Sequence, residues 1–269
     1  MPVYFFGLSQ IPGIHLTRSI FVFIILHLLV YPASNGYNSY MDKDESSIGG
    51  IKNPMQPGIQ LYHACNLLDV SALFASFFIS NLFAACILAY ILASRAYSYR
   101  GIRLKKYAIT GYATVLIFQG ALTFFAVYHA CSTDFSMKAP VPGMIAAGLL
   151  IGGFYPITQI YQHKEDKADG VQTISMKLGY RGTFVFCAMI YSIAMLFLGM
   201  VFISNGMVNL LAVILVFFLP ILIYFFYWAN LVWKDPRHAD FTHTMKMNVL
   251  ASTCTNLGFL TVLIMKQFE

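Results

Sequence analysis

Carboxylates are scarce in this 269-residue chain: there are eleven Asp and Glu residues, and six of them fall in two short stretches. One is Asn38-Ser39-Tyr40-Met41-Asp42-Lys43-Asp44-Glu45; the other is Gln162-His163-Lys164-Glu165-Asp166-Lys167-Ala168-Asp169-Gly170. Within each, an amide precedes an aspartate by four residues, Asn38 before Asp42 and Gln162 before Asp166, which on a helix places both side chains on one face. Carboxylate and amide oxygens are hard ligands suited to Mg²⁺, which binds through one or two carboxylates together with substrate phosphates. Basic side chains nearby would stabilise a departing diphosphate. The pattern repeats after 124 residues, which points to two pseudo-equivalent halves facing one another.

Both stretches follow apolar segments of membrane length. The chain is 58% hydrophobic and only 10% charged, against about 25% charged residues in soluble domains; it reads as an all-α, polytopic transmembrane bundle. Segments of about 20 apolar residues span a bilayer, and the sequence predicts eight complete spans at 15–35, 61–80, 82–97, 108–131, 141–161, 181–204, 207–232 and 245–266. Residues 3–10 form a further helical fragment too short to cross. A single helix over 61–97 would reach roughly 55 Å, beyond a hydrocarbon core of about 30 Å, so a hairpin is expected near Ser80-Asn81.

Regions 36–60, 95–107, 162–181 and 233–246 hold 14 of the 17 Lys and Arg residues; only Arg18, Lys138 and Lys266 fall on the other side. By the positive-inside rule these four regions are cytoplasmic and the C-terminus is outside. Both acidic stretches then share one face, as a common site requires. The net charge of +6 is accounted for by this topology and does not indicate nucleic acid. No secretory or organelle-targeting segment is evident, which makes a cytoplasmic (inner) membrane the expected location. Cys65, Cys86, Cys131, Cys187 and Cys254 have no paired or metal-binding spacing and read as packing residues. The loop 234–248 also shows no recognisable metal spacing and reads as a connector.

Three motifs carry a resemblance to a known family. Residues 38–54, NSYMDKDESSIGGIKNP, resemble the first motif of the UbiA superfamily of intramembrane prenyltransferases, N-D-x-x-D-x-x-x-D followed by a basic residue near a proline. QHKEDKADGVQTISMKLG resembles the second, D-x-x-x-D-x-x-x-G-x-x-T-x-x-x-x-L-G, with Asp166, Gly170, Thr173, Leu178 and Gly179 in register. YSYRGIRLKK (97–106) is similar to the family's Tyr-Ser…Arg-Leu-Lys loop. The resemblance covers nearly the whole chain, 1–269, as one domain, and implies a nine-helix arrangement around a central cavity, the first helix reduced to a stub.

It implies that Asn38, Asp42, Asp44, Asp166 and Asp169 hold Mg²⁺, and that Arg103, Lys105 and Lys52 grip phosphate oxygens. Tyr97, Ser98, Gln162 and Gln119 would contact substrate. The implied reaction transfers a prenyl group from a prenyl diphosphate donor to a lipophilic acceptor in the lipid bilayer. The allylic cation would form in an aromatic-lined cavity, since aromatic faces stabilise cations. Ser39, Ser46 and Gln162 stand where the family pattern has aspartates; Asp44, Glu45, Glu165 and Asp169 are close enough in sequence to compensate. The alternatives are a cyclase of the same family, which quenches the cation within the donor, and a non-catalytic bundle or transporter that retains the fold.

Overall fold

The computed structural model describes residues 2–43 and 55–268; Asp44 and Lys52 lie outside them. Among the described residues there is no strand, only two isolated bridges, and nine helices: α1 Pro2–Ser9, α2 Leu16–Asp42, α3 Ile59–Phe77, α4 Asn81–Ser98, α5 Ala108–Cys131, α6 Val141–Ala168, α7 Ile174–Ser204, α8 Val208–Lys234 and α9 Phe241–Met265. Seven of them, α2 and α4 to α9, are long and apolar enough to cross a membrane. Helix α3 has the length, 19 residues, but carries Asp69. A charge in that position is tolerated when it is paired: Arg95 of α4 donates to Asp69 through Nε at 2.8 Å and sits 3.8 Å above the Tyr37 ring of α2. Of the eight expected spans, seven are thus long and apolar enough to cross, α3 has the length but is more polar, and α1 is the expected stub.

The expected hairpin falls at Phe78–Ser80. Ser80 caps α4, its Oγ accepting from the Phe83 amide at 3.0 Å, because a short hydroxyl side chain satisfies a donor the first helical turn leaves free. The same hydroxyl meets His129 Nε2 of α5 at 2.9 Å, which accounts for a histidine inside a span.

Helices α2 and α6 are longer than the expected spans. At 1.5 Å per residue, their 27 and 28 residues reach about 40 Å, so both overshoot a core of about 30 Å. The overshoot of α2 carries Asn38 and Asp42, and that of α6 carries Gln162 and Asp166. Lys43 ends α2 in the left-handed region (φ 53°), its amide bonding Ser39 O at 3.0 Å, a common way to close a helix. The opposite end of the bundle is tied separately: Lys266 Nζ donates to Ser9 O (2.9 Å) and Ile11 O (3.0 Å), and Arg18 to Ser132 O (2.6 Å).

Association inside a bilayer rests on close packing more than on the hydrophobic effect. At the α5–α6 crossing a Cβ on Gly120 would lie 2.4 Å from Gly148 Cα, so only glycine allows this approach. Gly120→Leu is expected to destabilise the protein by about 1–3 kcal/mol or more through overpacking, read as a lower thermal midpoint in detergent; an unchanged midpoint would mean that the crossing is not close.

Candidate active site

A chamber of about 730 Å³ opens between the overshooting ends of α2 and α6, with α4, α5 and α9 completing its wall. Each helix presents a polar stripe to it at helical spacing: Asn35, Asn38, Ser39 and Asp42 from α2, Ser94, Tyr97 and Ser98 from α4, and Tyr155, Gln159, Gln162 and Asp166 from α6. Residues three and four apart lie on one helix face, so each stripe is a single surface. The stripes interlock. Ser98 Oγ donates to Asn38 Oδ1 at 2.8 Å, Ser34 and Ser94 share a hydrogen bond of 2.6 Å, the hydroxyls of Tyr97 and Tyr155 meet, and Gln159 Nε2 donates to Tyr155 Oη at 2.8 Å. Gln119 reaches the chamber from a π-helical stretch of α5, Val115–Leu122. Such wide turns often occur where a helix serves a site.

The cations come from the α4–α5 connector. Arg103 there adopts a left-handed conformation (φ 50°), uncommon for a residue with a Cβ, and it precedes a 3₁₀ turn, Leu104–Lys106. The connector is fastened to the segment after the second acidic stretch, Gln172 N donating to Lys106 O at 3.2 Å. Lys105 bonds the Asp42 carboxylate. Arg103 bonds the Asp169 carboxylate, donates to Asp169 O at 3.2 Å and lies 3.7 Å from Asp42. Arg100 donates to Met41 O at 2.8 Å and approaches Asp169 at 3.7 Å. The two acidic stretches are thus bridged by one loop.

The hydrogen bond from Arg103 holds the Asp169 carboxyl below the usual carboxylate range, and the same bond raises the Arg103 guanidinium. A carboxylate whose folded value is depressed stabilises the fold above its unfolded value, and loses that contribution as pH falls through the folded one. The thermal midpoint difference between wild type and Asp169→Asn is therefore expected to be constant from about pH 5 to 8 and to shrink below about pH 4. A difference that changed near neutrality would rule out this origin.

Residues 1–250 match the model of the UbiA prenyltransferase family. The chain belongs to that family. Its fold is similar to solved UbiA homologues: the Aeropyrum pernix K1 protein without ligand (15% identity, TM-score 0.73, covering 97% of this chain and 96% of that one) and the Archaeoglobus fulgidus protein bound to GPP and Mg²⁺ (16%, 0.71, 97% and 94%). It is also similar to a structure described for digeranylgeranylglyceryl phosphate synthase (17%, 0.63, 97% and 90%). No curated protein sequence matches the chain. At these identities the likeness concerns the fold. Like its family, the chain is a multi-pass membrane protein.

Within this UbiA fold, the sequence-expected residues Asn38, Asp42, Tyr97, Ser98, Lys105, Gln119, Gln162, Asp166 and Asp169 all line the chamber. Arg103 is buried behind the lining, with 8% of its surface exposed, and reaches the chamber through Asp42 and Asp169. His163 lies in the second stretch but turns elsewhere: Nε2 is 2.7 Å from Ser175 Oγ and the ring stacks on Tyr180 at 4.9 Å. Tyr155, Gln159, Asn35 and Asn248 also line the chamber without having been expected. Their signal was present for α6: Tyr155, Gln159, Gln162 and Asp166 recur at spacings of four, three and four.

The donor set fits Mg²⁺. Among the described lining residues are carboxylates and amides but no Cys or His, and hard oxygens without thiolate or imidazole suit Mg²⁺ over softer metals.

Proposed function

We propose that this protein transfers a prenyl group from a Mg²⁺-bound prenyl diphosphate to a lipophilic acceptor in the bilayer. The observation that carries the reading is the convergence of Asp42 from α2 and Asp166 from α6 on one chamber, with Lys105 and Arg103 joined to it. The Archaeoglobus homologue with GPP and Mg²⁺ supports the donor class. One domain, 1–269, serves the reaction, and the loops rich in Lys and Arg are assigned to the cytoplasmic side, with the C-terminus outside.

Asn38, Asp42, Asp166 and Asp169, with Asp44 as a further candidate, would hold the metal, and Ser98 keeps the Asn38 oxygen oriented. Mg²⁺, when bound, supplies charge neutralisation for the diphosphate. Lys105, which lines the chamber, exchanges the Asp42 carboxylate for phosphate oxygens as the donor binds; Arg103, behind the lining, and Lys52 are further candidates for the same role. The C–O bond breaks with its electron pair leaving on pyrophosphate, and the allylic cation passes to the acceptor, which forms the new bond and loses a proton. Tyr97, Gln119 and Gln162 position the donor at the polar end. Phe118, Phe154 and Tyr155 face the chamber and would stabilise the cation through their ring faces while excluding water.

The test is pyrophosphate release from C10 to C20 prenyl diphosphates by the detergent-purified protein, with and without Mg²⁺ and with membrane lipid as acceptor. Mg²⁺-dependent release with a product containing acceptor atoms supports the transferase. A cyclised hydrocarbon or alcohol product indicates the cyclase, and no release with any donor overturns catalysis. Gln162 occupies a position where the family pattern has aspartate and lines the chamber. Gln162→Asp is therefore expected to lower the Mg²⁺ concentration for half-maximal release by about tenfold, roughly 1.4 kcal/mol; an unchanged Mg²⁺ dependence would exclude Gln162 from the metal's surroundings.

A further inference from the structure

We propose a second metal site, for a borderline transition-metal ion such as Zn²⁺, formed by His238, Asp240 and His243 in the α8–α9 connector. One ligand atom from each lies within 4.8 Å of the others, the only such group of three among the described residues. The connector was expected to carry no metal spacing. Its ligands are two and three residues apart, and they converge because a 3₁₀ turn, Pro236–His238, leads directly into the first turn of α9.

The three side chains are held in place by their surroundings. Trp228 of α8 is fully buried and donates through Nε1 to His238 O at 2.7 Å, while the His243 ring stacks against it at 6.1 Å. Asp240 caps α9, accepting from His243 N at 2.8 Å, and its carboxylate also meets His243 Nδ1 at 2.9 Å. A carboxylate bonded to an imidazole in this way fixes the ring that a metal would use.

Two features separate this group from ordinary surface charges. Asp42, Asp69, Asp169 and Asp235 are each paired with Lys or Arg, whereas the ion-pair partner of Asp240, among the described residues, is a histidine. Neither ring nitrogen of His238 takes part in a hydrogen bond among the described residues, so a lone pair is available; the ring meets that of His243 edge-on at 5.5 Å. Two imidazoles and one carboxylate suit Zn²⁺, with water in the fourth position. Binding requires neutral imidazoles and an ionised carboxylate, so uptake should weaken as the pH falls.

The ion would join the end of α8 to the start of α9. Phe241, the first residue of α9, packs on Tyr161 at 5.3 Å, and Met245 and Asn248 further along α9 line the chamber. The site therefore braces one wall of the chamber from outside, and it depends on no residue assigned to the reaction.

The experiment uses the full chain in detergent, stripped with chelator and then kept in excess Mg²⁺ so that oxygen-only sites are filled. Zn²⁺ is titrated calorimetrically, and Co²⁺ uptake is followed by its visible absorption, which reports coordination by nitrogen. One equivalent of Zn²⁺ is expected, together with a higher thermal midpoint. Affinity should fall by at least about tenfold in His238→Ala and His243→Ala. His238→Ala is the decisive variant, because its side chain makes no hydrogen bond whose loss would disturb the fold. Asp240→Asn, which keeps the helix cap but removes the charge, should also weaken uptake. Failure of wild type to take up Zn²⁺ in the presence of Mg²⁺, or equal uptake by His238→Ala, would overturn the site.

Discussion

Replacing Asp42 or Asp166 by alanine is expected to lower Mg²⁺-dependent pyrophosphate release by about 10²–10³-fold, a loss of roughly 3–4 kcal/mol in the barrier. The size follows from what each carboxylate faces. Asp42 is nearly buried, with 7% of its side chain exposed, and it lines the same chamber as Asp166. Removing it deletes a metal ligand and also leaves Lys105 without the carboxylate it bonds. Glu165 also lines the chamber but is exposed, so Glu165→Ala should cost less than either aspartate. Steady-state release at several Mg²⁺ concentrations, with thermal midpoints as the folding control, distinguishes the two. Both aspartate variants keeping wild-type release, in a protein that hydrolyses donor, would move the chemistry elsewhere in the molecule.

The second large effect is expected at Arg103. Its guanidinium touches the Asp169 carboxylate and carbonyl and approaches Asp42, so it holds the two acidic stretches together from behind the chamber lining. Without it, Asp169 and Asp42 lose a shared cation, and breaking a buried pair costs about 3–5 kcal/mol. Asp42 retains Lys105 and Asp169 is about a third exposed, so a destabilisation near 2 kcal/mol is the better figure. Release should fall about 100-fold in Arg103→Ala. Arg103→Lys should recover only part of it, because a single ammonium cannot reach the Asp169 carbonyl and carboxylate with the planar fork that arginine uses. If Arg103 acts by positioning Asp42 and Asp169, the Mg²⁺ concentration for half-maximal release rises in both variants. If Arg103→Lys were indistinguishable from wild type, charge alone would be its contribution.

Hydropathy was sufficient to place seven of the expected spans, because a bilayer demands long apolar segments whatever the packing between them. The hairpin at Ser80 was legible for the same reason: no single helix could run that far. The acidic stretches and the Arg103–Lys105 loop were legible because three motifs stand in one order and share one face, and most of the residues they single out do line the chamber. Sequence spacing also put Asn38 with Asp42 and Gln162 with Asp166, since i,i+4 neighbours on a helix meet regardless of tertiary context.

What required the folded chain is every relation between segments far apart in sequence. That Arg103 sits behind the chamber, spending its fork on Asp169, depends on a connector in a left-handed turn docked against residue 172. That His163 leaves the acidic stretch for Ser175 depends on how α6 tightens before α7. Tyr155 and Gln159 belong to the chamber because α4 and α6 meet there, bringing Tyr97 to Tyr155. His238, Asp240 and His243 converge through a 3₁₀ turn seated on Trp228, a packing arrangement that no residue spacing encodes. Local periodicity follows from backbone geometry and is written along the chain; which stripes face one another follows from the close packing of helices, where Gly120 against Gly148 admits one approach and excludes others.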